Sequence, residues 1–287
     1  MANSIWIINE YAGSPQYGMT YRHYYFAREL IKKGYKVSII TAAYSHFLTR
    51  FPVTNGKYTI EHIDGINYLW IKVIKYSKSF CKNRVFKWFD FMLSLFFIPY
   101  KSISLPDIIL VSPTAPFPIL PAWFWAKRLN CQLFFEVRDI WPLTLSELGN
   151  FKPTHPFIKF MGFFERFALK NSDQIISNLP NYCQHIKELG INRNFTYIPN
   201  GISLGELKNS EPIDAKTKNK IPKDKFIVGY AGKFGILNAL DILVDAAEKL
   251  KDNQDIVFLF VGDGQFKAEI IQKCCHLNLK NVFFFDP

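Results

Sequence analysis

The most constraining feature of this chain is its opening, which reads strand, loop, helix, strand. Ser4-Ile-Trp-Ile-Ile-Asn9 is a short apolar run bounded by polar residues, the pattern of a buried strand. A loop with Gly13, Pro15 and Gly18 follows, and the spacing predicts a helix from Met19 to Lys33, stopped by Gly34. Tyr24, Ala27, Leu30 and Ile31 give that helix one apolar face. Val37-Ser-Ile-Ile-Thr41 is the next strand. A βαβ unit makes its two strands parallel, and a parallel sheet needs helices over both faces.

The same alternation continues. Strands are expected at Asn67–Val73, Asp107–Val111, Gln132–Val137, Gln174–Ser177 and Phe195–Ile198. The stretch Ser203–Lys225 is polar, rich in lysine and holds two prolines, which marks a loop or linker. A second βαβαβ then begins, with strands at Phe226–Tyr230, Ile256–Val261 and Val282–Phe285 and helices over Ala239–Leu250 and Gln265–His276. The expected organisation is an α/β domain over 1–202, a linker over 203–225 and the first half of a second α/β domain over 226–287. In such sheets ligands sit at the carboxyl ends of the strands.

Composition narrows the class further. Hydrophobic residues at 49% and charged ones at 21% describe a globular chain with a sizeable core. The net charge of +11 favours polyanions or acidic headgroups as partners. Five scattered cysteines without a CxxC spacing argue against a disulfide framework or a zinc site and point to a reducing cytoplasm. Met1-Ala2-Asn3 leads directly into a strand without a charged leader, which predicts a cytoplasmic protein.

The strongest local signal is FEVRDIWPLTLSELG, Phe135 to Gly149. It ends a strand in Glu136, Arg138 and Asp139, where two carboxylates and a guanidinium can orient hydroxyls or tune a proton transfer. A strand-end ion pair followed by a Trp141-Pro142 turn explains the same residues. Gly18 before a helix, and Gly262-Asp263-Gly264 after a strand, read as turns when taken alone. No Asp-x-Asp triplet, Walker-type loop or His/Cys cluster occurs.

EVRDIWP, followed by IPNGI, GYAGKFGILNALD and VGDG, resembles the retaining glycosyltransferases of family 4 (group 1). The opening IINEYAGSPQYGMTYRHYYFARELIKKGYKV and the VSPTAPF segment are similar as well. Within that family the chain most resembles the subgroup of capsule, O-antigen and exopolysaccharide transferases, which includes N-acetylfucosamine transferases. The resemblance implies the GT-B fold, two Rossmann-like parallel-sheet domains facing across a cleft, here with the second incomplete. It implies a nucleotide-diphosphate sugar, commonly a UDP-sugar, as substrate and a polyprenyl-diphosphate-linked saccharide as acceptor, with no cofactor and no metal. Lys233, after Gly232, stands where many relatives carry an arginine facing the donor diphosphate, and keeps the cation without the bidentate fork. Asn238 stands where many relatives place a lysine, and reads as a helix cap with Asp241 three residues on.

By the same resemblance Gly18, Gly262, Asp263 and Gly264 belong to donor-side turns, and Glu136, Arg138 and Asp139 shape the sugar and acceptor side. His23 reads as a structural histidine, and His46 recurs in the subgroup without an assignable role. Relatives carry two glutamates separated by seven residues in a later loop–helix, and this sequence stops upstream of that motif. The expectation is therefore a C-terminally truncated enzyme that does not transfer sugar alone. A catalytically silent sugar-nucleotide-fold chain is the alternative, and a basic nucleic-acid-binding protein a further one, for which no reading module is visible.

Residues 72–101 hold seven basic residues against one acidic residue, Asp90. Within them Val85 to Ile98 is strongly apolar, while Asn83, Lys87, Asp90 and Ser94 fall on one helical stripe. Fourteen residues interrupted by charges are too short to span a bilayer. Two readings stand: an amphipathic helix lying on an anionic membrane surface through 82–101, or a helix packed on the sheet.

Overall fold

The structure is a computed structural model that describes residues 4–18, 21–76, 82–149, 151–209, 211–235 and 238–287. The chain divides into two compact units, Met1–Leu204 and Gly205–Pro287. Each carries its own sheet.

The first sheet has eight strands: β1 Ser4–Ile8, β2 Lys36–Ala42, β3 Tyr58–Ile63, β4 Ile66–Ile71, β5 Ile108–Val111, β6 Gln132–Val137, β7 Gln174–Ser177 and β8 Phe195–Tyr197. Their order is β3-β4-β2-β1-β5-β6-β7-β8. All neighbours run parallel except β3 and β4. That exception departs from the parallel sheet expected from the sequence. Asp64 and Gly65 both take positive φ between the two strands, the backbone a tight two-residue hairpin requires.

Helix α1, Arg22–Lys32, covers one face of the sheet, with Tyr24 and Ala27 buried against Ile5, Ile7, Val37 and Ile39. It begins three residues after the expected start; Met19 and Thr20 lie outside the described residues. On the opposite face, α2 (Lys82–Leu95), α3 (Ile119–Leu129) and α5 (Pro156–Asn171) pack over Trp6, Ile8, Ile40 and Leu69. A short α4, Leu143–Gly149, precedes α5, and α6, Tyr182–Glu188, follows β7. Parallel strands alternate inward residues to both faces, which is why β1, SIWII, is apolar and buried throughout.

The stretch expected as linker holds two short helices, α7 Leu204–Lys208 and α8 Ala215–Lys218, the latter capped by Asp214 through Thr217 N. The second unit has a parallel sheet in the order β11-β10-β9, from β9 Phe226–Ala231, β10 Ile256–Val261 and β11 Val282–Phe285. Helices α9, Asp241–Lys249, and α10, Lys267–His276, bury Val244, Ala247, Ile270 and Cys274 against Phe258 and Phe260. Cys274 is thus an apolar filler.

Candidate active site

In the first sheet the chain order reverses between β1 and β5, with α1 on one face and α3 on the other. Such a switch point opens a crevice at the carboxyl ends of the two strands. Asn9 spans it: its Nδ2 donates to Ser112 O, and its Oδ1 accepts from Tyr11 N at 2.7 Å. The residues around this crevice fall into two buried clusters.

The first centres on Glu136, at the end of β6. Its Oε1 accepts from Arg22 Nε at 3.0 Å and Nη2 at 2.8 Å, and its Oε2 accepts from Ser112 Oγ at 2.5 Å. The Arg22 and Glu136 side chains are only 6% and 0% exposed. Burial by itself would raise the Glu136 carboxyl; hydrogen bonds and charge from His23 and Arg22 outweigh it and hold it at about 2. Burial pulls the His23 pKa down, while the charge of Glu136 opposes that shift.

His23 Nε2 lies 2.8 Å from Ser112 Oγ, which gives a serine, a histidine and a glutamate in mutual reach. It is not a nucleophile relay. In such a relay the histidine bridges serine and acid. Here the serine is the bridge, its proton is given to Glu136, and Nε2 of His23 is therefore the donor to Ser112. His23 Nδ1 is buried without a partner among the described residues. His23 is fully buried.

The packing revises the expected role of Glu136. Its carboxylate is enclosed and answered by Arg22 and Ser112, so it holds other groups in place rather than presenting itself to a ligand. Arg138 is half-buried and Asp139 exposed. Asp139, Glu136, Thr114, Trp141, Glu165 and Tyr182 line a cavity of about 20 Å³, room for one water. Trp141 Nε1, a buried donor without a partner among the described residues, suits that water.

The second cluster was missed in the sequence. Glu10, Tyr11 and Lys87 meet behind the loop that follows β1. Lys87 is fully buried, with Nζ 4.0 Å from the Tyr11 ring centre and 3.4 Å from Glu10 O. Glu10 is also buried, and neither carboxylate oxygen has a hydrogen-bond partner among the described residues. Burial raises the Glu10 carboxyl and lowers the Lys87 ammonium, each partly offset by the other's charge. Tyr11 Oη accepts from Trp88 Nε1 at 3.1 Å and Arg84 Nε at 3.3 Å. His46 Nδ1 lies 2.6 Å from Tyr76 Oη beside the same group.

Lys87 and Ser94 also decide how α2 is turned. Most of the polar stripe seen in the sequence points into the protein: Lys87 and Ser94 are buried, and Asp90 is bound to Lys57 Nζ at 2.7 Å and Ile74 N at 2.8 Å, while Asn83 is exposed. The exposed side carries Asn83 and two large apolar residues, Phe86 at 58% and Leu93 at 54% exposure, with Phe97 at 75% just beyond the helix end. Phe160 and Phe163 of α5 are exposed as well, and Phe160 packs on Phe89 of α2. The helix therefore packs on the sheet and also presents an apolar face. No helix among the described residues is long and apolar enough to cross a membrane.

Gly18 takes φ +105°, and a Cβ there would lie 2.9 Å from Thr49 N. The close approach of the loop after β2 is what requires glycine.

The second unit gathers its candidate residues at the carboxyl ends of β9 and β10. Gly262 and Gly264 have φ +146° and +156°, and a Cβ would stand 1.8 Å from Gly232 O and 2.4 Å from Phe234 O respectively. The two turns lie backbone on backbone, pinned by Phe234 N donating to Asp263 O at 2.9 Å. Tyr230 Oη donates to Lys233 O at 2.7 Å, which holds the turn while the Lys233 side chain stays exposed. Lys267, unremarked in the sequence, adds a second cation here, donating to Gly262 O at 2.8 Å and Asp286 Oδ1 at 2.5 Å.

Asn238 does not cap α9. That helix starts at Asp241 with Leu240 as N-cap and no side-chain cap bond, while Asn238 stays exposed and its N–H donates to Gly235 O at 3.0 Å. Ala239 takes φ +46°, a left-handed break that delays the helix. Asp241 in the first turn already answers part of the helix dipole, which weakens this terminus as an anion site.

Residues 18–206 match the sequence model of Glycosyltransferase Family 4. The chain belongs to this family. WcaI of Escherichia coli (strain K12), assigned to colanic acid biosynthesis as a glycosyl transferase, is 26% identical over 126 residues, covering 42% of this chain. The match spans 31% of WcaI's length. Among solved structures, sucrose-phosphate synthase from Thermosynechococcus elongatus superposes with a TM-score of 0.67 at 17% identity, over 98% of this chain and 70% of that one. WaaG, a glycosyltransferase involved in lipopolysaccharide biosynthesis, gives 0.61 at 14% identity, over 99% and 70%. Anabaena HepE, in complex with UDP and glucose, gives 0.60 at 13% identity, over 99% and 69%. These likenesses establish the fold of family 4, GT-B with its two Rossmann-like sheets.

Proposed function

We propose that this chain is the acceptor-side domain and the opening of the donor-side domain of a retaining, metal-independent glycosyltransferase. The enzyme moves a sugar from a UDP-sugar to a lipid-linked saccharide in surface polysaccharide synthesis. The observation that carries this reading is the second unit's turn pair. Gly232, Gly262 and Gly264 bring two backbones together at the sheet's carboxyl edge, and an exposed Lys233 stands on that edge. A cation at such an edge stabilises a departing diphosphate. Asp263 and the exposed Asn238 flank the same edge. The UDP complexes of HepE support the choice of nucleotide.

On the first unit, the exposed Asp139 and half-buried Arg138 are assigned to acceptor hydroxyls. The apolar stripe of α2, with Arg84 and Lys101 nearby in sequence, is assigned to the cytoplasmic face of an anionic membrane, where a lipid-linked acceptor resides.

Titration of UDP into the 287-residue chain tests the donor assignment. Saturable binding, weakened about tenfold by Lys233→Ala and retained by Lys233→Arg, is expected. Equal affinity of parent and Lys233→Ala, or no binding at millimolar UDP, overturns it.

A further inference from the structure

The ladder of the first sheet ends at Ile198, whose N–H donates to Ser177 O at 2.9 Å. Beyond it the chain runs without helix or strand to Ser203, and the first unit ends at Leu204. Carbonyls in such a stretch have no regular partner. Three consecutive residues here nevertheless share one donor. Arg22 Nη2 donates to Ile198 O at 2.8 Å, and its Nη1 donates to Pro199 O at 2.9 Å and Asn200 Oδ1 at 3.0 Å. Further along α1, Arg28 Nη2 donates to Ser203 Oγ at 2.8 Å.

Arg22 is thereby fully used. Its remaining donors go to Glu136, and Glu136 is fixed in turn by Ser112 at the end of β5. A buried ion pair gains little net stability, because desolvating two charges offsets their attraction. What it gains is geometry: a planar guanidinium with both partners immobile has one orientation. Lysine carries the same charge but no fork, so it can satisfy Glu136 or the chain, not all four acceptors.

We propose that Arg22, oriented by Glu136, is a positioning residue that clamps the chain's exit from the first unit over Ile198–Asn200. Arg28 is the second fastening at Ser203, so that freedom of the connecting segment begins only after it. This assignment does not depend on which nucleotide the second unit binds. It gives EVRD and IPNG a shared purpose, since Glu136 of the first motif and Pro199 and Asn200 of the second meet on one guanidinium.

Hydrogen exchange on the 287-residue chain tests the clamp. In Arg22→Lys, amides of Ile198 and of residues 200–203 should exchange about tenfold faster, while β1, β5 and β6 keep their protection. Asn200→Ala, which removes one exposed acceptor, should speed the same amides about threefold without lowering the melting temperature. Unchanged exchange over 198–203 in both variants overturns the proposal. So does a loss spread evenly over β1, β5 and β6 with no excess at 198–203, which would make Arg22 only a core ion pair. If Arg22→Lys does not fold, Asn200→Ala decides.

Discussion

The ammonium of Lys87 rests 4.0 Å from the centre of the Tyr11 ring, with both residues removed from solvent. The charge of Glu10, one residue earlier, helps to hold that ammonium ionised against its burial. Removing one partner of such a pair strands the other, at a cost of about 3–5 kcal/mol. Lys87→Met should therefore destabilise the chain by roughly that amount in urea unfolding, and Glu10→Gln combined with Lys87→Met should recover most of it. A double variant no more stable than the single would show that Lys87 is held by its aromatic neighbours instead.

Glu136 sets an acid limit. Its folded pKa of about 2 lies below the ordinary 4.5, so its stabilisation is complete above about 4.5 and is lost as pH falls through about 2. The swing is roughly 3 kcal/mol. Unfolding free energy measured from pH 6 down to pH 2 should fall steeply in the parent and more gently in Glu136→Gln. Parallel curves would place the acid sensitivity elsewhere.

Gly262→Ala should damage the second unit alone. A Cβ 1.8 Å from Gly232 O forces the two turns apart, and about 2–4 kcal/mol is expected from a clash against backbone at positive φ. All six tryptophans lie between Trp6 and Trp141, inside the first unit. Circular dichroism should therefore show part of the chain melting early while tryptophan fluorescence melts as in the parent. A shift of both signals together would count against this account.

Phe86 and Phe97 make a test of the membrane assignment that leaves the core intact, because both are exposed. Phe86→Ser with Phe97→Ser should leave the melting temperature within a degree or so, as surface changes do. Co-sedimentation with vesicles containing anionic lipid should drop about tenfold or more, since two large apolar side chains no longer enter the interface. Retained binding would remove α2 from the contact.

Much of this molecule was legible in the sequence because buried parallel strands are apolar without interruption. The runs at Ser4, Val37, Gln132, Gln174 and Ile256 each became a strand close to the expected bounds. β3 was overlooked although Asp64-Gly65 is a strong hairpin signal; Tyr58–Ile63 is half-exposed, and the adjacent Glu61 and His62 break its polar–apolar alternation. The α2 stripe was legible as a pattern but not as a direction. Periodicity gives two faces but does not say which one the sheet takes, and Glu10 with Tyr11 drew the lysine inward. Glu136 stood out in its motif, yet its partner Arg22 lies 114 residues away, beyond any local pattern. Asn238 carried a cap's chemistry, but the left-handed Ala239 moved the helix start past it.

The separation of the clamp's parts has a consequence for biosynthesis. Arg22 leaves the ribosome early, and its acceptors at 198–200 follow 176 to 178 residues later. At about 5–20 residues per second, α1 waits roughly ten to thirty seconds for them. Glu136 follows Arg22 by 114 residues, so only in the last part of that interval can the guanidinium meet Glu136 without the exit segment, and the first unit takes its final form only after nearly all of it has been translated.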